Sequence, residues 1–308
     1  MDDLGQIIAR IKFLHRDRCF AMNVRKILNL KVGSRLRIQL GWQRDKPEAE
    51  RKRIAAQAKR LMNDPDSEDN AVIGTRAARE PFEAMEAGAK KAMAALAKQL
   101  PVWDVFGKGV RGFGEVSLAV IVAEAGDLSN YASKAKLWKR MGLAPGQNRV
   151  PPGLSREDRK QAWIKNKYSP PRRSRMWNVG ETLFKAQVRI IKDADGKDMG
   201  ERIAIGKYGE VYLRRKLHTQ QTHPEWWHDK DGNEKIDKKT GRQISDHGHN
   251  DAQRYMEKRL LYDLWRAWRR ATDGMAERPT PKLPAASSLT TEAKRTVAER
   301  PSGLMLPP

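Results

Sequence analysis

The longest uninterrupted apolar runs in this 308-residue chain are six residues long, and of the two, Leu118 to Ala123 carries three β-branched residues where Ala92 to Ala97 is mostly alanine. Charged residues make up 32% of the sequence, so the run Leu118 to Ala123, with its bulky apolar side chains, belongs at the centre of whatever core forms. It is far too short to cross a bilayer, which takes about 20 apolar residues. Its surroundings read as a glycine-pinched helical hairpin: "GVRGFGEVSLAVIVAEAGD", residues 109 to 127, enters through Gly-x-Gly and ends at another glycine. Gly112 and Gly114 can take backbone angles closed to other residues. The helix expected from about Glu115 directs its unpaired N–H groups and positive dipole end toward the same bend.

A short helix, a Gly-hydrophobe-Gly turn and a second helix form the helix-hairpin-helix pattern, which grips a backbone phosphate without reading sequence. On that reading Arg111, Gly112, Phe113, Gly114 and Ser117 are the contact residues. Val110 and Phe113 lock the turn onto its helices, and Leu118, Val120, Ile121 and Val122 bury the second one. A plain αα-corner would need no ligand, and Glu115 stands where a basic residue would serve a phosphate better.

Strand signals are scarce and helical periodicity is common, which predicts a mainly α fold. Residues 1–62 read as a basic helical domain. Leu4, Ile7, Ile8, Ile11, Leu14 and Met22 recur at helical spacing, Gly33 and the pair Gly41, Trp42 break the helix beyond them, and a new helix opens at Pro47. The turn-rich stretch 63–80 is the expected linker, and the Ala-rich stretch 81–100 a connecting helix. Residues 101–271 form the hairpin-containing helical domain, with helices at about 133–141, 172–191 and 250–271 and hairpin-like turns at "DADGKD" and "DKDGNEKIDKKTG". Residues 272–308 are Pro- and Ser-rich without periodicity and read as a disordered tail.

Charge limits the partners. The 61 Lys and Arg exceed the 38 Asp and Glu by 23, which points to a polyanion. DNA is the first candidate, structured RNA the second; no membrane span or leader is expected. The excess is uneven, with sixteen Lys and Arg against three acids over residues 134–192, and sixteen against six over 1–60. Trp138, Trp163, Tyr168 and Trp177 are interleaved with the first cluster, as on surfaces that neutralise phosphates and stack on bases, although burial is the commoner fate of a helical Trp. Lys136, Lys139, Arg140, Arg172, Arg173 and Arg175 are the candidate phosphate contacts. The last three crowd a helix start, where cations oppose the dipole unless an anion joins them. Cys19 is the single cysteine, which excludes an intrachain disulfide and a Cys-rich zinc finger and fits a reducing, cytoplasmic setting, nucleoid-associated if the source is bacterial.

The stretch "VRGFGEVSLAVIVAEAGDLSNYASKAKLWKRMGLAP" resembles the start of the carboxy-terminal domain of the DEDD-type, RNA-bridged insertion-sequence transposases. There a Pro-Gly-Ile-Gly-like hairpin precedes an apolar helix, "ExGD" and "GLxP". "YSPPRRSRMWNVGETLFKAQ", "YGEVYLRRKLH" and "AQRYMEKRLLYDLWRAW" are similar to that family's later helices in the same order, over about residues 101–271, with about 219–249 as an insertion. The resemblance implies DNA or RNA binding more strongly than it implies transposition and recombination. The family's RNase-H-like catalytic half has no counterpart in residues 1–100. Its nucleophilic Ser, which lies in a Ser-Gly motif, is matched only by Ser155, followed here by Arg156. Ser155 is placed equally well to cap a helix, with Asp158 as partner.

Five of the six histidines lie between residues 218 and 249. His247 and His249 would share a face on a strand and so could hold a metal; otherwise they are surface histidines. The expectation is therefore a nucleic-acid-binding protein without a cofactor, a divalent metal entering only with catalysis. The alternatives are a recombinase using Ser155 with carboxylates from another chain, and an RNA-binding scaffold. A homo-oligomer or a catalytic partner chain is compatible with either.

Overall fold

In the computed structural model, residues 3–196, 198–237 and 243–273 are described. The protein is mainly α. In order come α1 (Leu4–Gln39), α2 (Glu48–Asn63), α3 (Asn70–Lys98), α4 (Val102–Val105), α5 (Glu115–Ala125), α6 (Lys134–Arg140), α7 (Arg156–Lys165), α8 (Pro170–Gln187), the antiparallel strands β1 (Val188–Lys192) and β2 (Asp198–Ala204), α9 (Lys207–Thr222) and α10 (Asp246–Asp273).

Gly33 does not break α1. It sits between Val32 and Leu36, which are buried against Ala58 of α2 and Val72 of α3, and this tertiary contact outweighs a glycine penalty of about 1 kcal/mol. The helix stops instead at Gly41, whose φ is +76°. There the amides of Gly41 and Trp42 reach back to the carbonyls of Ile38 and Arg37, closing the end in a Schellman arrangement.

The expected linker over 63–80 is only partly a loop. Asp69 accepts from the amides of Ala71 and Val72 and starts α3 at residue 70; the helix then runs through Pro81 to Lys98. The turn signals of "NDPDSEDN" mark this cap. α1 and α3 lie antiparallel, fastened along their length by Phe20 against Phe82 and by Arg25 against Glu83 and Glu86.

The base of this pair belongs to the main core. Ile7, Ile8 and Ile11 of α1 and Met93, Leu96 and Ala97 of α3 join one cluster with Leu118, Ile121 and Val122 of α5, Met176 and Leu183 of α8, and Leu260, Leu261 and Leu264 of α10. The apolar run Leu118 to Ala123 is thus at the centre. The core therefore crosses the boundary expected between residues 1–62 and 101–271.

α8 ends at Gln187 rather than Ile191, because the β-branched "VRII" continues as β1. Its turn to β2 uses Asp193 to Gly196, with Val188 opposite Ala204. The closing helix, α10, takes in residues 272 and 273; the rest of the expected tail, from residue 274, lies outside the described residues. Among the described residues no helix is long and apolar enough to cross a membrane.

Candidate nucleic-acid interface

At the hairpin, the first arm is a four-residue helix, α4, followed by a 3-10 turn at Gly107–Gly109, not a full helix. The two glycines of Gly-x-Gly have different causes. Gly112 has φ +82°, and a Cβ there would meet Ala186 and lie 3.0 Å from the Thr182 carbonyl oxygen. It lets the turn press against α8. Gly114 has an ordinary φ of −80°, with nothing within 4 Å of a Cβ.

Internal partners occupy much of the turn's polarity. Phe113 is buried, and its amide bonds the Val110 carbonyl at 3.0 Å. The Ser117 amide bonds the Gly114 carbonyl at 2.9 Å, and the Arg111 carbonyl accepts from the Gln187 side chain at 2.9 Å. The Glu115 carboxylate sits at the start of α5, held below its usual range by the amide of its own residue and by Lys98 at 3.2 Å. An incoming phosphate would have to displace a resident carboxylate. The hairpin is present, but Gly112, Phe113 and the amides of Phe113 and Ser117 serve packing within the chain.

The crowding of Arg172, Arg173 and Arg175 is likewise relieved from inside. Glu124, at the end of α5, pairs with Arg172 at 3.1 Å and with Arg175, and accepts from His15 Nε2 at 3.1 Å. Burial alone would raise its carboxyl, but His15 and the guanidinium groups of Arg175 and Arg172 bring it down to about 2. Arg173 pairs instead with Glu257 of α10 at 2.9 Å, their side chains 12% and 0% exposed. There burial pushes the Glu257 carboxyl up to about 7 against the pull of Arg173. Arg173 is therefore a buried structural cation rather than a phosphate contact.

Lys136, Lys139 and Arg140 of α6 are exposed. Lys136 and Lys139 have no ion pair with a described carboxylate. Arg140 Nε donates to the Glu124 carbonyl at 2.9 Å, which leaves its terminal nitrogens toward solvent. The sequence pattern did not disclose the cluster at the other end of α6. Lys134 Nζ stands 4.6 Å from the centre of the Tyr262 ring, with Arg266 at 5.6 Å and Arg259 at 5.9 Å from the same ring. Lys134 and Lys258 also flank Trp138. Aromatic faces hold these cations in place, so an arriving phosphate meets side chains that have already lost much of their rotamer freedom.

Trp138 donates its indole N–H to the Lys258 carbonyl of α10 and Trp177 accepts at its carbonyl from Gln253 of α10, both half-buried, and the rings of Trp163 and Tyr168 meet at a tilt. Trp138 and Trp177 are cross-helix contacts first, whereas Trp163 and Tyr168 close the loop after α7. Ser155 is the cap of α7: its Oγ accepts the Asp158 amide at 3.1 Å and donates to the Asp158 carboxylate at 2.7 Å. Replacing Ser155 by Ala is expected to cost about 1 kcal/mol in urea unfolding, with no change in nucleic-acid affinity; strand-transfer or nicking activity in the wild type that the variant loses would restore the nucleophile reading.

His247 and His249 lie on α10 and not on a strand, so they point to different sides. His249 is enclosed by Trp177, Phe184 and Tyr212, whose hydroxyl is 2.8 Å from Nδ1. Among the described residues no group of three His, Cys, Asp or Glu side chains is arranged to hold a metal. No family model, curated protein or solved structure matches the chain.

Proposed function

We propose that this protein binds nucleic acid through its phosphates, using the basic surface that runs along α6 from Tyr262 and Lys134 at one end to Arg140 at the other. The observation that carries this reading is the run of cations on one seven-residue helix, Lys134, Lys136, Lys139 and Arg140, in a chain with a net charge of +23. A helix of this length spans about 10 Å; Lys136, Lys139 and Arg140 share one face of it and Lys134 lies toward Tyr262 on the other side, so the surface offers a few phosphate contacts and no visible means of reading bases. The likeness to insertion-sequence transposases favours DNA over RNA as partner. The recombinase alternative draws no support from the surroundings of Ser155, whose hydroxyl is engaged by Asp158.

Binding to a random-sequence duplex is expected to weaken about 100-fold or more between roughly 50 and 200 mM salt. Replacing Lys134, Lys136 and Lys139 together by Ala should flatten the slope of log K against log salt by about one for each phosphate that is no longer neutralised. Fluorescence anisotropy at several salt concentrations, with duplex DNA and a structured RNA in competition, measures both and ranks the two polynucleotides. Salt-independent binding, or an unchanged slope in the triple variant, would remove the basis of this reading.

A further inference from the structure

A second cationic feature lies where α1 meets the rest of the molecule. Lys12, His15, Arg16 and Cys19 of α1, Ala123 and Glu124 of α5, Arg140 of α6 and Arg175 of α8 line a cleft of about 370 Å³. That volume falls in the range of small-ligand sites, roughly 300–1,000 Å³.

Its charge is not balanced from within. Lys12, Arg16, Arg140 and Arg175 face one carboxylate, Glu124, and the negative end of α5, which is worth roughly half a charge. The remainder is an excess of about two to three positive charges, before any proton on His15. Lys12 and Arg16 have no ion pair with a described carboxylate. The walls are nevertheless fixed. Glu124 holds His15 and Arg175, its carbonyl holds Arg140, and Gly126 leaves room for Lys12, whose Nζ would lie 3.2 Å from a Cβ there. The cleft is thus a concave, pre-positioned set of donors with surplus positive charge.

We propose that this cleft is a binding site for a phosphoryl group, carried either by a polynucleotide strand or by a free nucleotide. The proposal deepens the nucleic-acid reading and rests on it only for the strand as the source. Arg16 and Arg140, both exposed, stand at the mouth; Lys12 and Arg175 are deeper. A phosphoryl group between them would receive charge-assisted hydrogen bonds from up to four side chains.

Cys19 supplies a built-in reporter. It lines the cleft, its Sγ is 3.5 Å from His15 Nε2, and it is the single cysteine of the chain. Iodoacetamide alkylates it when the thiolate sulfur displaces iodide, and the rate depends on access and on thiolate population. Hydrogen bonding to His15 and the charges of Arg175 and Arg18 favour the thiolate against the opposing effect of burial. An anion in the cleft would both screen the sulfur and weaken that preference.

The test uses the full chain at matched ionic strength, with sodium chloride as control, and follows Cys19 alkylation with inorganic phosphate, adenosine monophosphate or a short oligonucleotide present. Each phosphate-bearing probe is expected to slow alkylation several-fold where chloride does not, and the Lys12→Ala, Arg16→Ala double variant should need at least 10-fold more probe for the same protection. Protection by the oligonucleotide at far lower concentration than by the nucleotide identifies a strand as the source; the reverse identifies a free nucleotide. Alkylation that phosphate does not change, or equal protection in a double variant with unaltered urea unfolding, overturns the cleft proposal. Salt-dependent duplex binding by α6 would survive that failure. Conversely, phosphate protection without any polynucleotide binding would overturn the function proposed above and leave the cleft standing.

Discussion

Glu124→Gln should unfold in urea with a loss of about 3–5 kcal/mol, the range for breaking a buried charged group away from its partners. His15, Arg172 and Arg175 all converge on this carboxylate, with side-chain exposures of 6%, 16% and 29% against 10% for Glu124 itself. Removing its charge leaves two guanidinium groups and an imidazole facing one another. Stability depends on pH with a definite sign. Because Glu124 is held at about 2 rather than 4.5, its contribution is complete above about pH 4.5 and is lost as pH falls toward 2, amounting to roughly 3 kcal/mol.

His15 acts the other way. Burial opposes its charge, but hydrogen bonds to Cys19 and Glu124 raise its pKa above 6.5, so its contribution is complete below that value and fades as pH rises through the raised one. The wild type should therefore lose stability in acid between about pH 4.5 and 2, and the Gln variant should lose less over that window. A loss below about 1 kcal/mol, or an unchanged acid profile, would show that the cluster is held by something other than this carboxylate.

Gly112→Val is expected to cost about 2–4 kcal/mol, whereas Gly114→Ala should cost less than about 1 kcal/mol. The sequence pattern treats these two glycines alike, and the structure separates them. At Gly112 a β-branched residue must take φ +82° and drive its Cβ into Ala186 and the α8 backbone; at Gly114 neither obstacle exists. Urea unfolding of both variants, followed by anisotropy on the folded fraction, distinguishes packing from phosphate capture. Strong loss of nucleic-acid binding in a stable Gly114→Ala protein would return the grip to the hairpin amides.

How much of this was readable beforehand depends on the range of the forces involved. The central place of Leu118 to Val122, the stop at Gly126 and the cap at Ser155 are local matters of composition and backbone geometry, and they read correctly. The continuation of α1 through Gly33 did not, since Val32, Leu36, Ala58 and Val72 come together only in three dimensions; the start of α3 is a local Asp69 cap whose turn residues read equally as a linker. The crowding of Arg172, Arg173 and Arg175 announced a missing anion. Glu124 could not be picked out as that anion, because it lies 48 to 51 residues away from the arginines it meets and 109 from His15. For the same reason Arg173 looked like a surface contact until Glu257 was found beside it. Gln187, which joins the hairpin carbonyl at Arg111 to the amides of Tyr208 and Gly209, gave no sequence signal at all.

The cleft's walls come from residues 12 to 19 and from residues 123 to 175, so neither stretch of polypeptide possesses it alone. An occupant would work as a clasp between the first helix and the body it leans on. Whatever enters there should slow the departure of α1 during unfolding, and a protease would find the amino-terminal helix harder to reach when the clasp is filled.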